Sequence, residues 1–180
     1  WGVDFGDGIP RHPTQLYEIA FAALLWFALR RLQPALAPQP GELVLDLAAA
    51  PGGKATHLAA LADDQALVVA NEIERSRVGA LLSNLERWGA WNMVVINEEP
   101  RHLAERWAGL FDRVLLDAPC SGEGMFRKSE AALRHWSEDN LRGCAVRQRQ
   151  IIASAAALVR PGGRLAYSTC TSAPEENEQV

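Results

Sequence analysis

Two cysteine motifs, about fifty residues apart, carry the residue types most able to do chemistry. One is Asp117-Ala118-Pro119-Cys120-Ser121-Gly122, and the other is Ser168-Thr169-Cys170-Thr171. Each follows a short apolar run, Val114-Leu115-Leu116 or Leu165-Ala166-Tyr167, that ends where a parallel strand should end. Open α/β sheets bind ligands at the carboxyl ends of their strands. Two thiols on separate strands are therefore expected to face one cleft. A thiolate there is a nucleophile, and a covalent enzyme intermediate splits one difficult step into easier ones.

A third motif, Asp46-Leu47-Ala48-Ala49-Ala50-Pro51-Gly52-Gly53-Lys54, reads as a cofactor loop. A strand, a glycine-containing turn and a helix present free backbone N–H groups and a positive dipole end to a ligand. Gly52 and Gly53 are expected to let the backbone approach closely. The loop lacks both the Gly-x-Gly-x-x-Gly fingerprint and the phosphate-loop spacing, which disfavours a dinucleotide pyrophosphate or a nucleoside triphosphate. Glu72 follows the next strand, where a carboxylate can accept hydrogen bonds from two ribose hydroxyls. Glu98 and Glu99 follow the strand after that, within reach of an adenine amino group. A cofactor loop beside two cleft cysteines suggests transfer of a small group.

The elements that must position these residues alternate regularly from Gly41 onward. Strands are expected at 43–47, 67–70, 93–96, 113–116 and 164–168, and helices at 54–62, 75–88, 101–107 and 140–159. Helix 75–88 carries Val78, Leu81, Leu82, Leu85 and Trp88 at helical spacing. Pro161-Gly162-Gly163 should end the last helix. This alternation implies an α/β fold with a doubly wound parallel sheet. Trp88, Trp107 and Trp136 are expected to fill core or interface.

The 180 residues, 48% hydrophobic and 22% charged, suit one globular domain with a real core. A net charge of −4 gives no global nucleic-acid signature. The stretch from Arg127 to Arg164 is locally basic, with eight Lys/Arg against three Asp/Glu, and Arg127-Lys128 could meet phosphates. Cys120, Cys144 and Cys170 form neither a disulfide framework nor a metal-ligand spacing, so a reducing compartment and no metal are expected. Cys144, inside a helix, reads as a small buried hydrophobe.

Residues 1–33 read differently. Arg11-His12-Pro13-Thr14-Gln15-Leu16-Tyr17-Glu18 precedes an apolar stretch at 19–29, about half of what a bilayer span needs. This segment resembles the C-terminal part of bacterial prolipoprotein diacylglyceryl transferase, whose motif would match at Arg11, His12 and Glu18. Pro34, Pro38 and Pro40 mark 34–40 as a rigid junction.

Residues 41–180 resemble the RNA 5-methylcytosine methyltransferases, most closely the bacterial type acting on small-subunit ribosomal RNA. The resemblance rests on the loop at 46–54, Asn71-Glu72, Asp117-Ala118-Pro119-Cys120-Ser121-Gly122-Glu123-Gly124, and Tyr167-Ser168-Thr169-Cys170-Thr171 with Glu175-Glu176-Asn177-Glu178. It departs at Ala48, where many members carry Cys. It implies a Rossmann-like class I methyltransferase fold, incomplete at its C-terminal side, with S-adenosyl-L-methionine as cofactor and RNA as partner. Cofactor contacts would come from Ala48, Ala49, Ala50, Pro51, Gly52, Gly53, Lys54, Glu72, Glu99 and Asp117. Cys170 would be the nucleophile, Cys120 would assist product release, Asp117 would meet the cytosine edge and Lys54 would supply positive field to the thiols. A cytoplasmic monomer is expected, with membrane contact only if residues 1–33 function. Two other readings stay open: an inactive chimeric fragment, and a membrane-associated remnant of the lipoprotein-modifying enzyme. Both termini look cut, and a further helix and two antiparallel strands would follow the strand at 164–168.

Overall fold

Strands covered by helices on both faces read as nearly unbroken apolar runs, and the runs named above fold in that way. The computed structural model describes residues 3–4, 10–11, 37–126 and 136–180. The chain divides into two units, Trp1–Ala37 and Pro38–Val180. In the first, β1 (Val3–Asp4) pairs antiparallel with β2 (Pro10–Arg11). His12, Glu18 and the apolar stretch at 19–29 lie outside the described residues, as do Arg127 and Lys128. Among the described residues no helix is long and apolar enough to cross a membrane.

The second unit holds a five-stranded parallel sheet. Its strands are β3 (Leu43–Asp46), β4 (Leu67–Asn71), β5 (Met93–Ile96), β6 (Phe111–Asp117) and β7 (Val159–Ser168), in the spatial order β5-β4-β3-β6-β7. Among the described residues the α-helices are α1 (Gly53–Ala62), α2 (Arg75–Trp88), α3 (Pro100–Trp107) and α4 (Glu138–Leu158). The order reverses beside β3, the topological switch point where such sheets bind ligands. Central β3 explains its own composition: Val44, Leu45 and Asp46 are wholly buried.

The core gathers Leu45, Leu47, Val114, Leu116, Phe111 and Leu158 between sheet and helices. In α2 only Leu81 and Leu85 of the apolar stripe are buried, while Leu82 and Trp88 stay exposed. Trp88 therefore leaves the expected core, at the last turn of a helix that ends on Gly89. Trp107 does pack, edge-on to Phe111, and Trp136 packs edge-on to Phe126. Cys144 is buried as expected. Helix α4 starts where the Ser137 side chain accepts the Asn140 N–H at 3.1 Å, with Glu138 and Asp139 complementing the dipole.

The strand expected at 164–168 begins earlier, at Val159. Pro161-Gly162-Gly163 forms an irregularity in the pairing with β6 rather than a clean break. Gly163 is required there, because a Cβ would lie 2.7 Å from the Asp112 carbonyl. Arg160 pairs with Asp112 at 2.5 Å, and Arg113 pairs with Glu42 at 2.5 Å, tying the N-terminal ends of β3, β6 and β7 together.

Candidate active site

Register places the chemistry. Asp117 pairs with Ser168 and Leu116 with Tyr167, so β6 and β7 end side by side. The Ser168 hydroxyl donates to Asp117 Oδ1 at 2.7 Å, and the Ala118 N–H donates to the Ser168 carbonyl at 2.8 Å. The chains leaving the two strands thus stay together, and the thiols of Cys120 and Cys170 meet at 3.0 Å. The Cys170 N–H also points at the Cys120 sulfur, 3.3 Å away. The expectation that both cysteines face one cleft holds: both line a cavity of about 820 Å³.

Two carboxylates brace the pair. Glu123 accepts from the Thr171 hydroxyl at 3.0 Å and from the Ser172 N–H and hydroxyl at 3.1 and 2.9 Å. Those hydrogen bonds, Ser172's first, hold its carboxyl below the usual range. The Gly124 N–H donates to the Cys170 carbonyl at 2.8 Å, an approach so close that a Cβ on Gly124 would stand 2.7 Å from that oxygen. On the other flank, buried Glu176 accepts from Ser121 and Gln148.

Cys170 is not activated in this state. Its thiol is pushed up to about 11, first by burial, then by its hydrogen bond with Cys120, the Cys120 charge and the Asp117 charge. Lys54, expected to supply positive field to the thiols, instead has its ammonium paired with Asp117 Oδ2. The Cys120 sulfur 3.0 Å away is thus among the groups that oppose ionisation of the Cys170 thiol.

The cofactor loop is braced from beneath. The Ala49 N–H donates to the Asn71 carbonyl at 2.8 Å. The Asn71 amide donates to the carbonyls of Leu47 and Glu98 at 3.1 and 3.0 Å, and its oxygen accepts the Glu98 N–H. One buried side chain thus joins the ends of β3, β4 and β5, a role nothing in the sequence announced. The loop carbonyls of Ala50 and Pro51 accept from Arg77 and Asn84 of α2 at 2.6 and 2.7 Å. Gly52 serves this docking and not the cleft: it sits at φ +113°, and a Cβ there would press Leu81 at 3.2 Å.

Of the expected cofactor contacts, Ala48, Ala50, Glu72, Glu99 and Asp117 line the cleft, whereas Ala49, Pro51, Gly52, Gly53 and Lys54 do not. Glu98 turns toward His102 and Arg106, leaving Glu99 as the cleft acid. Glu72 is almost fully buried, and its carboxylate accepts the N–H groups of Ala50 and Glu74 at 3.2 and 2.9 Å. It is therefore a latch for the loop as well as a cleft acid. Sequence reasoning missed Ile73 and Pro100, apolar walls of the cleft, and Arg147, Gln150 and Ile151 from α4. Helical spacing from buried Cys144 would have brought Ile151, seven residues on, to the same face.

The donor set fits a nucleoside cofactor bearing a cation. The cavity is within the size range of small-molecule sites. Its acids can accept from hydroxyl and amino groups and face a positive centre, and Ile73 and Pro100 can flank a flat ring.

A parallel sheet of this order, with its cleft at the switch point, is the class I S-adenosylmethionine-dependent methyltransferase fold, and S-adenosylmethionine is the cofactor that fold and family use. The sequence model of the 16S rRNA methyltransferase RsmB/F family matches residues 33–180, and the chain belongs to that family. It is 48% identical over 139 residues to the ribosomal RNA small subunit methyltransferase F of Vibrio vulnificus strain YJ016, covering 77% of this chain and 29% of that protein. The corresponding protein of Shewanella loihica is 45% identical over 151 residues, covering 81% and 31%. The chain thus spans about three-tenths of the length of these relatives. Among solved structures, PH0851 superposes with a TM-score of 0.77 at 39% identity, covering 82% of this chain and 33% of that one. NSun6 from Pyrococcus horikoshii, solved with SFG, gives 0.71 at 34%, covering 80% and 36%. The diacylglyceryl transferase resemblance of residues 1–33 gains no support from these matches.

Proposed function

We propose that this chain is the catalytic core of an enzyme that methylates cytosine C5 in small-subunit ribosomal RNA through a covalent adduct on Cys170. The observation that carries the reading is the thiol pair at the mouth of the methyltransferase cleft. Cytosine C5 is too weak a nucleophile to take a methyl group unaided. S-adenosylmethionine, when bound, supplies the methyl as an electrophile. Cys170 adds through its sulfur to C6, which turns the ring into an enamine nucleophilic at C5. After C5 is methylated, a base takes the C5 proton, the electrons of that C–H bond re-form the C5–C6 double bond, and the C6–S bond breaks with the Cys170 thiolate as leaving group. Cys120, 3.0 Å away, assists that release. Asp117, oriented by Ser168 and Lys54, meets the N3/N4 edge of the base. The raised Cys170 pKa fits a nucleophile that ionises only when substrate reorganises Asp117 and Cys120. A target base must be unpaired or flipped out to enter. A ribosomal RNA substrate places the reaction in the cytoplasm.

The test is methyl transfer from labelled S-adenosylmethionine into unmodified small-subunit ribosomal RNA, followed by nucleoside digestion. Label is expected in 5-methylcytidine with the unsubstituted chain and absent with Cys170→Ser. Full labelling by Cys170→Ser would refute the adduct.

A further inference from the structure

We propose that Glu176 is a positioning residue for the cysteine pair, its buried carboxylate clasping both flanks of Cys120 to the segment that carries Cys170. The proposal rests on the cysteine reading above. Glu176 has no exposed surface. Its Oε1 accepts the Ser121 N–H at 2.9 Å and the Gln148 amide at 3.0 Å. Its Oε2 accepts the Ser121 hydroxyl at 2.5 Å. The same Gln148 nitrogen donates to the Pro119 carbonyl at 2.9 Å. Cys120 is thereby held from the residue before it and the residue after it.

The other end of the clasp is equally fixed. Asn177, next to Glu176, donates its amide to the carbonyls of Thr171 and Ala173 at 3.1 and 2.9 Å and accepts the Thr169 hydroxyl at 2.6 Å. The Tyr167 hydroxyl donates to the Glu176 carbonyl at 2.9 Å. Glu176 therefore moves with the Cys170 loop, and its carboxylate is a buried link by which that loop sets Cys120, beside the Glu123 and Gly124 contacts.

These donors are all neutral. A carboxylate buried on neutral donors is costly compared with an apolar side chain of the same size. Departures from local economy of this kind concentrate at functional sites. The cysteines themselves offer no such grip, since a thiol is a weak donor and acceptor.

Phenylarsine oxide tests the clasp directly. Its arsenic bonds two adjacent thiols, and its oxygen leaves as water with their two protons. The unsubstituted chain is expected to take one equivalent, mapped to Cys120 and Cys170. Glu176→Ala should slow bridging about tenfold or more, the scale of a buried donor set left unsatisfied, at a temperature where circular dichroism shows the fold intact. Glu176→Gln should restore most of the rate, because it keeps an oxygen for the Ser121 N–H and Gln148 and offers its NH₂ to the Ser121 hydroxyl. If Glu176→Ala does not fold, Ser121→Ala, which removes the hydroxyl arm to Glu176 together with a 3.3 Å contact to the Thr171 hydroxyl and keeps the Ser121 N–H arm, should slow bridging to a lesser degree. Bridging at the unsubstituted rate in a folded Glu176→Ala, or in Ser121→Ala where that variant has to decide, overturns the proposal, as does no bridging in the unsubstituted chain. The assay contains no RNA and reads no methyl transfer, so failure of the clasp and failure of the methylation mechanism register in different experiments.

Discussion

Gly124→Ala offers a quantitative test of how tightly the two cysteine loops are joined. The added Cβ would lie 2.7 Å from the Cys170 carbonyl oxygen and 3.4 Å from its carbon, with backbone rather than a pliable side chain as the obstacle. It falls about 0.7 Å short of the 3.4 Å at which ordinary contact begins. Relief by that amount would stretch the Gly124 N–H to Cys170 hydrogen bond, now 2.8 Å, to the limit of a bond. Losing it costs about 1 kcal/mol, and overpacking adds roughly 1–2 kcal/mol. The melting temperature should fall by roughly 5–10 °C for a unit of this size. Activity should suffer more than stability, since a misplacement of order 1 Å can lower a rate about a hundredfold. The control is Gly122→Ala, at φ +80° with nothing within 4 Å of its Cβ. It should lose about 1 kcal/mol through backbone strain alone and retain more activity than Gly124→Ala. Thermal melts and labelled methyl transfer read both effects. An active, fully stable Gly124→Ala would mean that the Cys170 loop yields freely, and the argument from close approach would be wrong.

Three further outcomes follow from groups whose environments are displaced. Burial raises Asp46 to about 7 from 3.8. The unfolded chain therefore loses this proton first, and stability falls from about pH 4 to about pH 7 by an amount on the order of 4 kcal/mol. Asp46→Asn should abolish that slope in denaturant titrations, and an unchanged slope would refute it. Cys120→Ala removes two of the influences that raise Cys170, so the pH midpoint of Cys170 alkylation should fall below that of the unsubstituted chain; a midpoint that stays or rises contradicts the coupling. Glu72→Ala should weaken S-adenosylmethionine binding in calorimetry and also lower stability, because the Ala50 and Glu74 N–H groups lose their acceptor. Loss of binding without loss of stability would mean that Glu72 is a ligand contact and not a latch.

What the sequence could and could not disclose follows from how each residue is held. Strands β3 and β4 are visible because both faces are buried and the apolar run is continuous. Helix α2 is legible to the residue because its stripe and terminal Gly89 mark both period and end. The early start of β7 is hidden because Pro161-Gly162-Gly163 reads as a terminator, whereas here it closes against Asp112. The cysteine pairing is legible because two strand ends point to one cleft. The polar residues beneath it are not: Asn71, Gln148 and Glu176 look solvent-facing in sequence, and only the register of distant strands supplies their partners. For Gln148 a signal did exist, since it lies four residues from buried Cys144 on the inward face of α4. For Lys54 the sequence discloses a charge near the cleft but not its partner, the Asp117 carboxylate.

The most direct measurement is covalent trapping. Cys120→Ala, incubated with S-adenosylmethionine and unmodified small-subunit ribosomal RNA, should accumulate a denaturant-resistant protein–RNA species that disappears when Cys170→Ser is added to the same chain. The same species in the double variant, or 5-methylcytidine formed at the full rate by the double variant, would contradict a Cys170 adduct.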